Sequence, residues 1–262
     1  MLMNQQDQQF LINLVHQASE LAHSHADELQ IEGKADGSLV TDADQEVERF
    51  IRAGLTERWP DDAIVGEEIA GSAYTSTDNV WYIDPIDGTH NFVGGLPLWA
   101  ICIGRCSEGV PTAGVIHAPT LGLTWTAFSG RGAYLNEAPV SIPDCEEIVR
   151  SDMIAFTTEA TSDLQLELPH SQRNLGSGAL HCGYLTTGAF KACLFSNWLM
   201  WDVVPGLAIA AEAGAIACNL AGKPITSFAG FAARDRHEPI VLAAASCCEL
   251  VAAHTTQLRQ PT

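Results

Sequence analysis

The stretch Trp81-Tyr82-Ile83-Asp84-Pro85-Ile86-Asp87-Gly88-Thr89-His90-Asn91-Phe92 constrains this chain more than any other. Val80 to Ile83 is apolar and rich in β-branched and aromatic residues, the pattern of a short buried strand, and two carboxylates three positions apart follow it directly. Pro85 separates them. Proline fixes its own φ and biases the preceding residue toward extended geometry, so Asp84 still belongs to the strand end while the chain has begun to turn. The spacing predicts that both carboxylates face one spot. Gly88 lets backbone approach a ligand closely, and a helix beginning at Thr89 would aim its unpaired N–H groups at the same place. Oxygen ligands for a hard cation beside an anion cradle fit metal-assisted phosphoryl chemistry. The plainer alternative is an acidic strand-to-helix turn in which Asp87 or Thr89 merely caps a helix.

Three further acidic positions stand in comparable settings. Thr41-Asp42-Ala43-Asp44 precedes the helical stripe Val47, Phe50, Ile51 and Leu55, which Pro60 ends, so Thr41 is the expected N-cap and Asp44 lies in the first turn. The helix dipole favours acids there without any function, and Asp44 acquires one only if this helix end meets the Asp84 turn. Ala63-Ile64-Val65 reads as a strand ending at Gly66-Glu67-Glu68, which either adds a carboxylate to a metal cluster or forms an exposed acidic loop. Trp201-Asp202-Val203-Val204-Pro205-Gly206 opens a late helix. Proline costs nothing in a first turn, which predicts Asp202 at or just before the helix N-terminus, and a simple Asp N-cap would explain it equally.

Elsewhere the pattern is scaffold. An amphipathic helix is expected from Gln9 to about Leu29, then an irregular loop from Ile31 to Val40 in which Lys34 is solvated. Strand-like runs follow at Leu98–Ile103, Pro111–His117, Leu121–Phe128 and Ala133–Leu135, joined by hairpin connections at Gly130-Arg131-Gly132 and Asn136-Glu137. Beyond a seam at Pro139–Asp144 strands alternate with helices: Met153–Thr157, a helix from Gly178, Ala192–Phe195, the Asp202 helix, Ala215–Asn219, Pro239–Ala245 and a helix from Ser246. This divides the chain into an N-terminal α+β half, 1–142, and a C-terminal α/β half, 143–262, packed as one unit.

The totals narrow the partners. Of 262 residues, 47% are hydrophobic, enough for a sizeable core. Thirteen Lys plus Arg against 32 Asp plus Glu give a net charge of -19, which argues against nucleic acid and anionic membranes as partners. Positive charge beside a phosphate must then come from bound divalent metal; an acidic surface that only serves solubility, or a salty cell, is the competing explanation of the charge. No long uninterrupted apolar run and no secretory leader pattern stand in the sequence, so a cytoplasmic location is expected. Eight cysteines without a Cys-x-x-Cys pair are expected as reduced core thiols, Cys102 and Cys106 on one face of a strand. Nine histidines form no zinc pattern, and His23 and His25 are expected in solvent.

Taken in order, Asp44, Gly66-Glu67-Glu68, Asp84-Pro85-Ile86-Asp87-Gly88-Thr89, Trp201-Asp202 and Glu212-Ala213-Gly214 resemble the inositol monophosphatase family of magnesium-dependent, lithium-sensitive phosphatases over nearly the whole chain. The resemblance implies an α+β fold, the layered αβαβα sandwich shared with fructose-1,6-bisphosphatase, and a homodimer. It implies two or three Mg²⁺ ions held by Glu67, Asp84, the Ile86 carbonyl, Asp87 and Asp202, with Asp84 shared between two ions and Glu68 supporting from behind. It implies a phosphate held at Asp87, by the N–H groups of Gly88 and Thr89, and at Ser177, and a catalytic set of Glu67, Thr89 and Asp44, the last two orienting the attacking water. The implied substrate is a small phosphorylated metabolite, inositol monophosphate first. Two features depart from that substrate: Phe195 stands where inositol-specific members carry a hydroxyl-binding glutamate. Asp36–Asp44 and Leu96-Pro97-Leu98-Trp99-Ala100 also resemble the histidinol-phosphate phosphatase branch. A 3′-phosphonucleotide substrate, or a catalytically idle metal or phosphate binder, are further alternatives.

Overall fold

The computed structural model describes residues 3–26, 29–34, 37–69, 71 and 78–258; Asp36, part of the histidinol-phosphatase-like stretch, lies outside them. Helix α1 (Gln5–His25) starts at Asn4, whose side chain accepts the N–H groups of Gln6 and Asp7 while Asp7 returns a bond to the Asn4 N–H. It ends well before Leu29. Strands β1 (Ile31–Gly33) and β2 (Leu39–Thr41) pair as an antiparallel hairpin where the sequence predicts an irregular loop. Three-residue strands, one wholly exposed, carry no readable alternation. Helix α2 (Asp42–Arg58) begins at Thr41 as expected: Thr41 Oγ1 accepts the Asp44 N–H and the Asp44 carboxylate accepts the Thr41 N–H at 2.7 Å.

Seven strands then form one sheet in sequence order: β3 (Ala63–Gly66), β4 (Asn79–Asp87), β5 (Ala100–Ser107), β6 (Val110–Ala118), β7 (Leu123–Phe128), β8 (Ala133–Leu135) and β9 (Ala138–Val140). Only the β3–β4 pair is parallel. β4 runs past Ile83 to Asp87, with an irregularity in its pairing to β5 between Asp84 and Asp87. Pro85 has no N–H to give the ladder, so the strand bulges where the two carboxylates sit. Helix α3 (Thr89–Val93) follows and is only five residues long.

The second sheet has the order β12-β10-β13-β15-β14. It is built from β10 (Met153–Phe156), β12 (Ser171–Arg173), β13 (Ala192–Phe195), β14 (Ala215–Asn219) and β15 (Ile240–Ala244). A short antiparallel pair, β11 (Leu164–Leu166) with β16 (Thr255–Gln257), lies apart from it. Helices α4 (Thr158–Asp163) and α7 (Ala245–Ala253) cover its outer face, and α5 (Gly178–Thr186) and α6 (Met200–Glu212) fill the space between the two sheets. With α1 and α2 on the far side of the first sheet, the layers run α, β, α, β, α, the expected α+β sandwich. Leu11, Val15, Val47 and Ile51 meet Trp81, Ile83, Ile101 and Ile103 in one interface. Val203, Val204 and Leu207 of α6 meet Phe195 and Leu242 in the next, and Ile154, Leu194, Val241 and Val251 close the third.

Two expectations in this frame need correction. Pro205 lies inside α6, at its sixth residue rather than in its first turn. Glycines on the neighbouring sheet admit it: a Cβ on Gly104 would come within 2.7 Å of the Pro205 nitrogen, and one on Gly114 within 2.2 Å of its carbonyl oxygen. The helix is pressed so closely against β5 and β6 that packing outweighs the missing hydrogen bond. His25 bridges Asp42 and Glu46 at 3.3 and 3.1 Å and is half-buried, so it is not simply solvated, whereas His23 is exposed as expected, with its ring centroid 5.3 Å from that of Trp99. All eight cysteines are buried and unbridged, and no helix among the described residues is long and apolar enough to cross a membrane.

Candidate active site

A cavity of about 220 Å³ opens at the end of β4, and its lining brings together Glu67, Asp84, Asp87 and Asp202 with Ile86, Gly88 and Thr89. The carboxylates arrive from the end of β3, from the β4 bulge and from the first turn of α6. Ser177 and Phe195 line the same cavity. Asp44 reaches it from behind, its Oδ1 lying 3.5 Å from the Thr89 hydroxyl.

Each acid is seated by a local device. Asp84 is buried and accepts the Ile86 N–H at 3.1 Å, a contact that the Pro85 turn sets up. Burial, then repulsion by Glu67, Asp87 and Asp202, holds its carboxyl well above the usual range. Asp87 accepts from the Ser177 hydroxyl, from Gly178 N–H at 3.2 Å and from Ala179 N–H at 2.9 Å, so it sits on the N-terminus of α5. Burial nevertheless pushes it up to about 6. The one Ser177 proton is thus given to Asp87. Asp202 is the third residue of α6 and not its N-cap: its carboxylate accepts the Leu199 N–H at 2.7 Å, and burial followed by repulsion from Glu67 raises it well above the carboxylate range.

Lys34 is the largest surprise at the site. Its Nζ lies 2.7 Å from Glu67 and 2.6 Å from Glu68, so the lysine expected in solvent is tied to the acidic loop. Burial works against its charge, and the two glutamates outweigh that and raise its pKa. Burial and repulsion by Glu67 lift Glu68 to about 7. Asp44 is pushed up to about 6 by burial, opposed by its bonds to Thr41. Thr89 Oγ1 donates to the Ile86 carbonyl at 3.0 Å, within reach also of Asp44. Gly88 holds φ +93°, and a Cβ there would stand 2.9 Å from the Leu98 carbonyl oxygen. No other residue fits that corner.

Phe195 is buried on β13, with its ring edge 3.3 Å from where a Gly178 Cβ would lie. The same cavity is lined by the polar Thr157, Glu159, Asn174 and Arg236 and by the apolar Trp198 and Trp201. Sequence reasoning missed Glu48, which is fully buried and accepts from Arg52, from Glu68 N–H and from Ile69 N–H. It missed Arg234, which donates to the carbonyls of Gly66, Glu67 and Ile69. A readable signal existed for Glu48 alone: Asp44 and Glu48 stand four apart on the stripe that α2 buries.

The donor set suits a hard divalent cation. Every candidate ligand is an oxygen, and buried carboxylates that force protons onto one another are relieved by a bound cation. Among the described residues no three His, Cys, Asp or Glu side chains already form a closed metal group. Lys34 holds Glu67, while Asp87 and Asp202 turn oxygens to backbone amides.

The sequence matches the model of the Inositol monophosphatase family over residues 3–258. It is 33% identical over 228 residues to the fructose-1,6-bisphosphatase/inositol-1-monophosphatase of Thermotoga maritima, covering 84% of this chain and 87% of that protein. It is 43% identical over 134 residues to the histidinol-phosphatase of Mycobacterium tuberculosis, covering 50% and 51% of the two chains. The solved structure of the Thermotoga maritima IMPase superposes with a TM-score of 0.79 at 26% identity, over 93% of this chain and 94% of that one. By its layered fold, its converging carboxylates and these matches, the chain belongs to the inositol monophosphatase family and is a phosphoric monoester hydrolase.

Proposed function

We propose that the protein hydrolyses a small soluble phosphomonoester in the presence of Mg²⁺, inositol monophosphate first among candidates. The observation that carries this reading is the shared cavity of Glu67, Asp84, Asp87 and Asp202, four acids drawn from both halves of the chain. Glu67, Asp84, the Ile86 carbonyl, Asp87 and Asp202 would hold two or three ions. Bound there, such ions lower the pKa of an attacking water and stabilise the departing alkoxide. The chain's own part is to place and to move protons. Thr89 would turn its hydroxyl proton from the Ile86 carbonyl to Asp44 and offer its oxygen lone pairs to the water, and Asp44, when ionised, would accept the water's proton through this pair. Gly88 and Thr89 present backbone N–H groups to the phosphate, and Glu68 with Lys34 steadies Glu67.

Histidinol phosphate is the second reading. Phe195 removes the carboxylate that would grip a polyol, and the identity to a histidinol-phosphatase is the higher of the two reported. A 3′-phosphonucleotide is a weaker third. The reading includes a homodimer in the cytoplasm whose residues 1–142 and 143–262 act as one unit. A panel of inositol 1-phosphate, histidinol phosphate, fructose 1,6-bisphosphate and 3′-phosphoadenosine 5′-phosphate, each assayed with Mg²⁺ and with chelator, tests it. Mg²⁺-dependent phosphate release is expected, highest for one of the first two; release unaffected by chelation contradicts the metal assignment.

A further inference from the structure

Cys218 on β14 and Cys248 on α7 stand 30 positions apart in sequence, and their sulfurs lie 2.7 Å apart in the core. Neither takes part in the carboxylate site. The residues between them include Arg234, which braces the Gly66–Ile69 loop through three carbonyls, and Arg236, which lines the cavity. We propose that Cys218 and Cys248 form a reversible dithiol–disulfide site that responds to small peroxides and closes the loop carrying Arg234 and Arg236.

The Cys248 thiol donates to Cys218, and this holds Cys218 below the ordinary thiol range, which makes Cys218 the attacking sulfur. Its thiolate attacks one oxygen of hydrogen peroxide; an S–O bond forms, the O–O bond breaks and hydroxide leaves. The sulfur of Cys248 then attacks that of Cys218. The S–S bond forms, the S–O bond breaks, and the second oxygen departs as water with the Cys248 proton. Two thiols and one peroxide give one disulfide and two waters, and a dithiol reductant reverses the change by exchange. Both sulfurs are fully buried, so the oxidant enters when α7, a nine-residue helix, opens locally. Once formed, the bond restricts the unfolded chain and stabilises the fold.

The test treats the full chain with hydrogen peroxide, removes the oxidant, alkylates remaining thiols after denaturation and maps linked peptides by mass. The expected result is a Cys218–Cys248 crosslink, a melting temperature higher by several degrees, and reversal of both by dithiothreitol. Cys248→Ala should show neither, and Cys145→Ser should still show both. If Cys248→Ala does not fold, the wild-type map alone decides. Complete alkylation of Cys218 and Cys248 after peroxide, or a crosslink running from Cys145 to Cys247 instead, overturns the proposal.

Discussion

The carboxylate of Glu48 accepts the backbone N–H of Glu68 at 2.7 Å, joining the middle of α2 to the loop that follows β3. The other Glu48 oxygen takes Arg52 and the Ile69 N–H, and Gly66 passes so close that a Cβ would lie 2.1 Å from it. One buried acid therefore sets the path of the chain that carries Glu67. Glu48→Ala leaves the Nε of half-buried Arg52 and two backbone amides without their acceptor, an expected loss of about 3 kcal/mol in urea unfolding. The surviving folded fraction should need more Mg²⁺ for half-maximal activity; unchanged stability and metal response would remove Glu48 from the site's support.

Asp202 depends on how closely α6 lies against the sheet. Gly114→Ala places a methyl 2.2 Å from the Pro205 carbonyl oxygen, so α6 must shift or β6 must bend. Overpacking of this kind costs roughly 1–3 kcal/mol. A lower melting temperature accompanied by weaker Mg²⁺ binding in calorimetry is expected, whereas Gly122→Ala, whose Cβ meets nothing within 4 Å but whose φ is +64°, should lower stability without weakening Mg²⁺ binding.

His181 supplies a pH signature. It is buried in α5, its Nε2 accepts the Leu175 N–H at 3.0 Å, and burial lowers its pKa to about 4. Above about 6.5 it is neutral folded and unfolded. As pH falls from there toward 4 the unfolded chain takes the proton first, so this residue's contribution to stability declines, by roughly 3 kcal/mol in all, and levels off below 4. The difference in unfolding free energy between wild type and His181→Gln should shrink over that window; a difference constant with pH would show that His181 is not buried neutral.

Local chemistry made much of this legible beforehand. Thr41 and Asp44 form a cap that one four-residue stretch specifies, and β13 spans the same Ala192–Phe195 that its apolar run predicts. What escaped was tertiary. Pro205 could be placed one turn into α6 only with knowledge that Gly104 and Gly114, a hundred residues earlier, clear space for it. Lys34 looked like a loop cation because the glutamates that hold it stand more than thirty residues away. Arg234 offers no local pattern at all; its partners are backbone carbonyls and the Trp201 ring, all distant in sequence. The β1–β2 hairpin escaped because strands of three residues carry too few positions to show a period.

If oxygen ligands on the β4 bulge hold the cation that drives ester hydrolysis, as proposed, Asp84→Asn should remove activity and leave the fold. The amide keeps the size of the side chain and the oxygen that accepts from Ile86 N–H, so thermal melting without metal should be retained. Mg²⁺-dependent phosphate release should fall roughly a thousandfold or more, as loss of several kcal/mol of charge stabilisation requires. Release at the wild-type rate from a folded Asp84→Asn protein would contradict the account.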